Sequence, residues 1–334
     1  MKNLLDYIYN EPSRVLSMLG INLDAFQSLT AQVEKAQNTH QNEQEAEKIR
    51  INAKGAGRPP KLSLEESMAL CLFYLRQNPT FEVLGMIFEV SRSEAHVTFH
   101  WGLNWRLQVL PASLYEEFGH DPELWSLIQE ILRDEVLLTD GTEQSRERPQ
   151  DQKTQKDWYS GKKKQHTLKT QILATSDGLE IVDAIAGVPG PTADINLFRE
   201  QQPRLHPEQE CMGDKAYIGA ERMTTPHKKL KKKELTEEQR EENKVISGKR
   251  IFIEHLMCRL KVFRILSHQF RLNSRRYRTV MLAICGLFRL KLGRIDFTIY
   301  DGWKLKYGGR LWSSMYWGGF YSEMAWKHDS YVIK

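Results

Sequence analysis

The sequence predicts an α/β core preceded by an all-α segment, and three observations predict it. Apolar residues recur at helical spacing behind capping residues as far as about residue 118. From Glu135 onward short runs alternate at a period of two, with a brief helix among them. The composition, 40% hydrophobic and 27% charged over 334 residues, is that of a chain able to bury a sizeable core. The net charge of +5 hides an asymmetry: from His227 to Arg294, nineteen Lys and Arg stand against six Asp and Glu, so the remainder is acidic. A basic stretch of that size suggests a polyanionic partner, although many such stretches are only solvated faces.

Residues 1–54 form a helical segment and linker. Leu4, Leu5 and Ile8, then Val15, Leu16 and Leu19, make the stripes of short helices. From Lys35 to Lys54 the apolar content collapses, so this stretch is either a solvated helix or a linker. Residues 55–118 carry a helix-turn-helix pattern. Gly55–Lys61 is an extended basic arm in which two prolines prevent helix. Ser63 and Glu66 make a capping-box pair before a helix with Leu64, Met68, Cys71, Leu72 and Leu75 on one side. Asn78-Pro79 ends it, and Thr80 caps a short helix with Leu84, Ile87 and Phe88. Ser91 with Glu94 then opens a longer helix in which Ala95, Phe99 and Leu103 share a face. The other side of that third helix would present Arg92, Ser93, His96 and His100 to base edges, with Arg58 of the arm in an adjacent minor groove. A plain three-helix bundle without a ligand fits the same stripes.

Residues 119–294 read differently. Glu135–Asp140 is a short buried strand ending on Asp140. His166–Asp177 alternates apolar and polar, Ser176-Asp177-Gly178 is a turn, and Leu179–Gly187 is its hairpin partner. Ala193–Glu200 is a brief helix, and Glu210–Tyr217 reads as a strand ending at or beside Asp214. A lysine-rich connection then leads into a long helix from about Lys244 to Ser267. Strand, hairpin, helix, strand, helix is the order of an RNase H-like core.

The acids fall where that order makes them neighbours. Asp140 closes the first strand, Asp214 follows 74 residues later, and Glu254 lies mid-helix another 40 on. Converging carboxylates are hard oxygen ligands suited to Mg2+ or Mn2+. Two such ions about 3.5–4 Å apart activate a water or 3′-hydroxyl and neutralise the leaving oxygen, with no protein nucleophile. Taken singly, Asp140-Gly141 and Gly213-Asp214 also read as turns, and Glu254 as a surface charge. Glu254, however, is flanked by Ile251, Ile253, Leu256 and Met257, and a carboxylate buried there needs a partner. Arg250, four residues before, and Lys261, seven after, share its face and would bracket it along a phosphate track.

The runs DGTEQSRERP, KDWYSGKKKQHTLKTQ and GDKAYIG, followed by a basic run closing on R-x3-E-x6-K, resemble the DDE transposases of bacterial insertion sequences. The group is the one related to eukaryotic PIF/Harbinger elements, and the resemblance spans roughly residues 55–290. It implies an RNase H-like fold with Asp140, Asp214 and Glu254 as the catalytic triad holding two Mg2+ (or Mn2+) ions. It places Arg250 and Lys261 at the positions flanking the glutamate, and Asp194 at an acid of the short helix. Ser247 and Ala193 depart from the Tyr and His that relatives often carry. The implied activity is binding of an element's terminal repeats, then metal-dependent strand cleavage and strand transfer. The implied partners are double-stranded DNA, from terminal inverted repeats and target, and a second copy of the chain in the DNA complex. The implied place is the bacterial cytoplasm, at the nucleoid. The alternative is a decayed or domesticated descendant that binds DNA without cutting. A third reading is a structure-selective nuclease on the same core.

Other features are less specific. Trp158 and Tyr159 lie beside Lys162, Lys163 and Lys164, where aromatics stack on unpaired bases while lysines hold phosphates, or else pack under the sheet. Lys228, Lys229, Lys231, Lys232 and Lys233 either line the DNA path or keep a solvated face. Cys71, Cys211, Cys258 and Cys285 are scattered and read as buried apolar residues in a reducing compartment. The histidines are read as showing no H-x3-H or HExxH arrangement and zinc is not expected; the absence of a P-loop argues against NTP hydrolysis. No apolar run has the length of a membrane span, and the first residues lack a signal peptide's hydrophobic stretch. Residues 295–334 hold four of the eight tryptophans (Trp303, Trp312, Trp317, Trp326), either as a packing tail or as translation past an ancestral stop.

Overall fold

The structure is a computed structural model, which describes residues 4–47, 60–229 and 234–295. Among these the chain divides into two compact units, one up to Leu110 together with Val262–Ile265, the other formed by Pro111–Lys261 and the chain from Leu266 onward.

The first unit is all helical: α1 (Leu4–Asn10), α2 (Pro12–Leu19), α3 (Leu23–Glu47), α4 (Leu64–Gln77), α5 (Phe81–Ile87) and α6 (Arg92–Val109). Local chemistry sets these bounds. The Ser63 hydroxyl accepts from the Glu66 amide (3.1 Å) while the Glu66 carboxylate accepts from the Ser63 amide (2.8 Å), which closes both ends of a capping box. Asn78 ends α4 in the left-handed region at φ 51°, and Thr80 caps α5 through the Val83 amide. Most of the predicted stripe residues form the core, Ile8, Val15, Leu19, Met68, Leu72, Leu75, Leu84, Ala95, Phe99 and Leu103 being fully buried, whereas Leu16 is exposed and Leu4 and Leu5 are half-buried. Tyr74 stacks on Phe81 at 4.6 Å and packs on Phe99 at 4.3 Å, which locks α4, α5 and α6 together. The polar stretch after Lys35 is a helix, continuing α3 as far as Glu47.

The second unit holds α7 (Leu114–Phe118), α8 (Pro122–Leu132), β1 (Leu137–Ser145), α9 (Gln152–Trp158), β2 (Tyr159–Ser160), β3 (Gln165–Ala174), β4 (Ile181–Pro189), α10 (Asp194–Gln201), β5 (Cys211–Met212) and β6 (Met223–Thr224). It continues with α11 (Glu237–Lys261), the end of α12 (Arg264–Ser267) and α13 (Tyr277–Lys291). β1 pairs antiparallel with β3, from Leu138 opposite Ala174 to Ser145 opposite Thr167. β4 pairs antiparallel on the far side of β3, while β5 runs parallel to β1 and β6 parallel to β5. The order β4-β3-β1-β5-β6, with β2 on the start of β3, is that of an RNase H-like sheet. Helices α7, α8 and α10 cover it through Leu114, Phe118, Trp125, Ile128 and Phe198, which pack on Leu137, Leu173 and Val182. Gly178, at φ +64° in the β3–β4 turn, is a forced glycine: a Cβ there would lie 2.5 Å from the Phe252 carbonyl oxygen of α11.

Arg289 of α13 is fully buried. Its guanidinium donates to Glu180 (2.6 Å), Glu117 (3.0 Å) and the Pro111 carbonyl (3.0 Å), tying α13 to α7 and to the residue just before β4. Burial pushes the Glu180 carboxyl up against the pull of Arg289, whereas Glu180 and Glu117 raise the Arg289 pKa despite its burial.

Four boundaries differ from expectation. β1 does not end on Asp140 but runs to Ser145, because Gly141–Ser145 find partners on β3. β5 is only two residues long, and Asp214 lies beyond it as the cap of a 3-10 turn. α11 starts at Glu237 rather than Lys244, behind a Thr236/Gln239 capping pair that sequence reading passed over, and stops at Lys261. Residues 111–118, grouped above with the helix-turn-helix, pack in the core of the sheet unit through Leu114 and Phe118.

Candidate active site

The site is built where β1, the end of β5 and α11 meet. Asp140 sits in β1 opposite Ile172, and its carboxylate accepts from the Gly141 amide at 2.9 Å. Burial pushes its pKa from the ordinary 3.8 to about 6; Arg250 and the Gly141 amide pull it down, whereas Asp214 and Glu254 push it up. Both other acids therefore act on Asp140 electrostatically. Asp214 follows β5, the parallel neighbour of β1, and accepts from the Ala216 amide at 2.8 Å. Arg250 of α11 lies between two of the acids, 3.9 Å from Asp140 and 3.9 Å from Glu254. Those distances are charge contacts rather than hydrogen bonds.

Glu254 corrects one expectation. Its side chain is 56% exposed, because Ile253, Leu256, Met257 and Leu260 face inward while Glu254 shares the outer side with Ile251 and Phe252. No buried-charge argument applies to it. Among the described residues no three His, Cys, Asp or Glu side chains stand close enough to hold one ion. The donor chemistry nevertheless fits a hard cation. All three groups are carboxylates, and the buried one is under-compensated by a single arginine at 3.9 Å.

A second layer lies behind Asp140, and of its members only Asp194 was singled out in the sequence. A Cβ at Gly141 would come within 2.5 Å of Asp194 Oδ1, so a larger residue there would displace the Asp194 carboxylate. Asp194 in turn pairs with Lys169 at 3.1 Å, and Lys169 is 5% exposed although strand alternation leaves its side undecided. The Tyr217 hydroxyl contacts the Gln171 amide at 3.1 Å, and Gln171 reaches Gln201 at 2.7 Å. Burial raises the Tyr217 pKa, and Asp194, Asp140 and Asp214 add to the rise. The signal for Tyr217 was its place in GDKAYIG, and for Lys169 and Gln171 their place in KDWYSGKKKQHTLKTQ.

The predicted DNA-facing side chains divide. On α6, Arg92, Ser93 and His96 are exposed, but His100 is half-buried, its ring against His96 and Phe99. Lys162, Lys163 and Lys164 are exposed at the tip between β2 and β3, with Lys164 at φ 53°. Trp158 is half-buried and carries Arg146 over one face at 4.7 Å. Lys261 is exposed at the end of α11. Lys228 is exposed and Lys229 pairs with Glu234. Arg58, Lys231, Lys232, Lys233 and residues 296–334 lie outside the described residues. Cys71, Cys211 and Cys285 are buried as expected; Cys258, on the outer side of α11, is exposed. No described helix is long and apolar enough to cross a membrane.

Residues 139–289 match the family described as DDE superfamily endonuclease, and residues 60–109 the one described as helix-turn-helix of DDE superfamily endonuclease. Over 243 residues the chain is 31% identical to the probable transposase for insertion sequence element IS702 of Microchaete diplosiphon, covering 72% of this chain and 84% of that protein. Among solved structures, the mariner Mos1 paired end complex with Mg shares 11% identity at a TM-score of 0.22, over 80% of this chain and 86% of that chain, which is too slight to carry an argument. These matches support the broader family, while the PIF/Harbinger relation stands on the motifs alone. The first range encloses Asp140, Asp214 and Glu254, and the second encloses Arg92, Ser93, His96 and His100. With a relative at 31% identity along most of its length, the chain belongs to the DDE-type transposases of insertion sequences.

Proposed function

We propose that this transposase cleaves DNA at the ends of its element and joins the freed 3′ ends to a target, with Asp140, Asp214 and Glu254 as the catalytic acids. The observation that carries this is the buried Asp140 carboxyl, pushed to about 6 and sensing both other acids, in a chain of this family. The three carboxylates would hold two Mg2+ or Mn2+ ions. Bound there, such ions supply charge for the attacking oxygen and the leaving oxygen. Burial pushes the Asp140 pKa up to about 6, and a cation held there would favour its ionised form. Arg250 would keep Asp140 and Glu254 apart from each other's charge until DNA arrives, then offer its guanidinium to a phosphate. Lys261 and Lys162–Lys164 would hold phosphates farther along the path.

The division of labour follows the two units. The unit up to Leu110 would read the terminal repeats through Arg92, Ser93, His96, His100 and the arm at Arg58, and the unit from Pro111 onward would cut. The partners are double-stranded repeat ends and target DNA at the nucleoid, with two copies of the chain pairing two ends. Purified protein, a duplex bearing an end of its element and a supercoiled target test this reading. Nicked ends and joined products should form with Mg2+ and vanish on chelation. End binding without cleavage in Mg2+ or Mn2+ would contradict it and favour the decayed DNA-binding alternative.

A further inference from the structure

We propose that His96 and His100 form a binding site for a divalent transition metal of the zinc, copper or nickel class on α6, distinct from the carboxylate site. The two residues are an H-x3-H pair, His96-Val97-Thr98-Phe99-His100, which the sequence reading overlooked when it set zinc aside. Four residues is close to one helical turn, so both imidazoles lie on the same side of α6.

The geometry suits a shared ion. The two Nε2 atoms are 3.1 Å apart and the ring centroids 4.4 Å. Bonds of about 2.05 Å from one ion to nitrogens 3.1 Å apart enclose about 100°, between the octahedral right angle and the tetrahedral angle. In the metal-free protein the pair shares one hydrogen bond, with one imidazole donating and the other accepting. Turning each ring by about 40° and moving the donor's Nε2 proton to its Nδ1 replaces that bond with two bonds to the ion. The rings are also supported before any ion arrives: Phe81 meets His96 edge-on at 4.9 Å, and Phe99 meets His100 at 5.1 Å. His96 is exposed, so water reaches the open positions of the ion. Arg92, one turn earlier and exposed, opposes a cation by charge, which weakens the site without closing it.

Ligand type separates this site from the acids. Imidazole nitrogen suits zinc, copper and nickel, whereas carboxylate oxygen suits magnesium and manganese. Excess Mg2+ should therefore leave the histidine pair vacant while occupying the acids. Copper should bind most tightly of the divalent series.

The test uses the full chain in excess Mg2+, titrated with Cu2+ and followed by electron paramagnetic resonance, then with Zn2+ by calorimetry. The wild type should show hyperfine coupling to two imidazole nitrogens at the first copper equivalent. His96→Gln and His100→Gln should each show one fewer coupled nitrogen and at least a tenfold loss of Zn2+ affinity. An unchanged nitrogen count and unchanged affinity in either variant overturns the proposal. Should His100→Gln fail to fold, His96→Gln, at an exposed position, decides the matter alone.

Discussion

At the scale of single residues, Asp140 concentrates the energetics of the site. Its folded pKa of about 6 lies above the ordinary 3.8, so the folded state binds a proton more tightly than the unfolded chain does. That contribution to stability is present at low pH and is lost as pH rises from about 4 to about 6. At pH 7 the metal-free protein carries the whole cost of the buried charge. Asp140→Asn should therefore stabilise metal-free protein at pH 7 by up to about 3 kcal/mol, and by little at pH 4. Urea unfolding at the two pH values measures this; equal stability at pH 7 would mean that the charge is already compensated. The candidate acids stood out because DGT and GDK set Asp140 and Asp214 at the ends of apolar runs and R-x3-E-x6-K marked Glu254. The inward position of Lys169 was not legible, since β3 is buried from Thr167 to Ala174 and alternation there no longer distinguishes inside from outside.

At the scale of elements, capping chemistry made the helical unit readable, and Ser63/Glu66 and Thr80 start helices where the sequence placed them. The same chemistry at Thr236/Gln239 was hidden among lysines and glutamates, so α11 began seven residues early relative to expectation. A strand as short as Cys211–Met212 carries no period to detect, and its pairing to β1 fixes it instead. The lysine tip between β2 and β3 offers the sharpest element-level test. If Lys162, Lys163 and Lys164 line the DNA path, changing all three to Gln should flatten the slope of log affinity against log salt by up to about 2.7. Cleavage at saturating DNA should persist. An unchanged slope would show that these lysines face water.

At the scale of the molecule, the charge count overstated the basic surface. Arg289 and Arg294, two of the nineteen cations that suggested a polyanionic partner, point inward with 0% and 6% exposure. Arg289 is instead an internal tie between α13, α7 and the start of β4, invisible in a sequence where its partners lie 172 and 109 residues away. Arg289→Met should leave two buried carboxylates without their cation and destabilise the sheet unit by about 3–5 kcal/mol. The denaturation midpoint checks this, and a loss below about 1 kcal/mol would mean that water or Arg294 replaces the tie. The contribution of Val262–Ile265 to the helical unit was equally hidden, because an apolar helix end reads the same whichever core it enters.

The central claim, that three separated acids act as one cleavage centre, is tested most directly by single-turnover cleavage of an element-end duplex in Mg2+. Asp140→Asn, Asp214→Asn and Glu254→Gln should each lose at least about a thousandfold in rate, on the order of 4 kcal/mol, with end binding nearly unchanged. Near-normal cleavage by any one of the three would contradict the account.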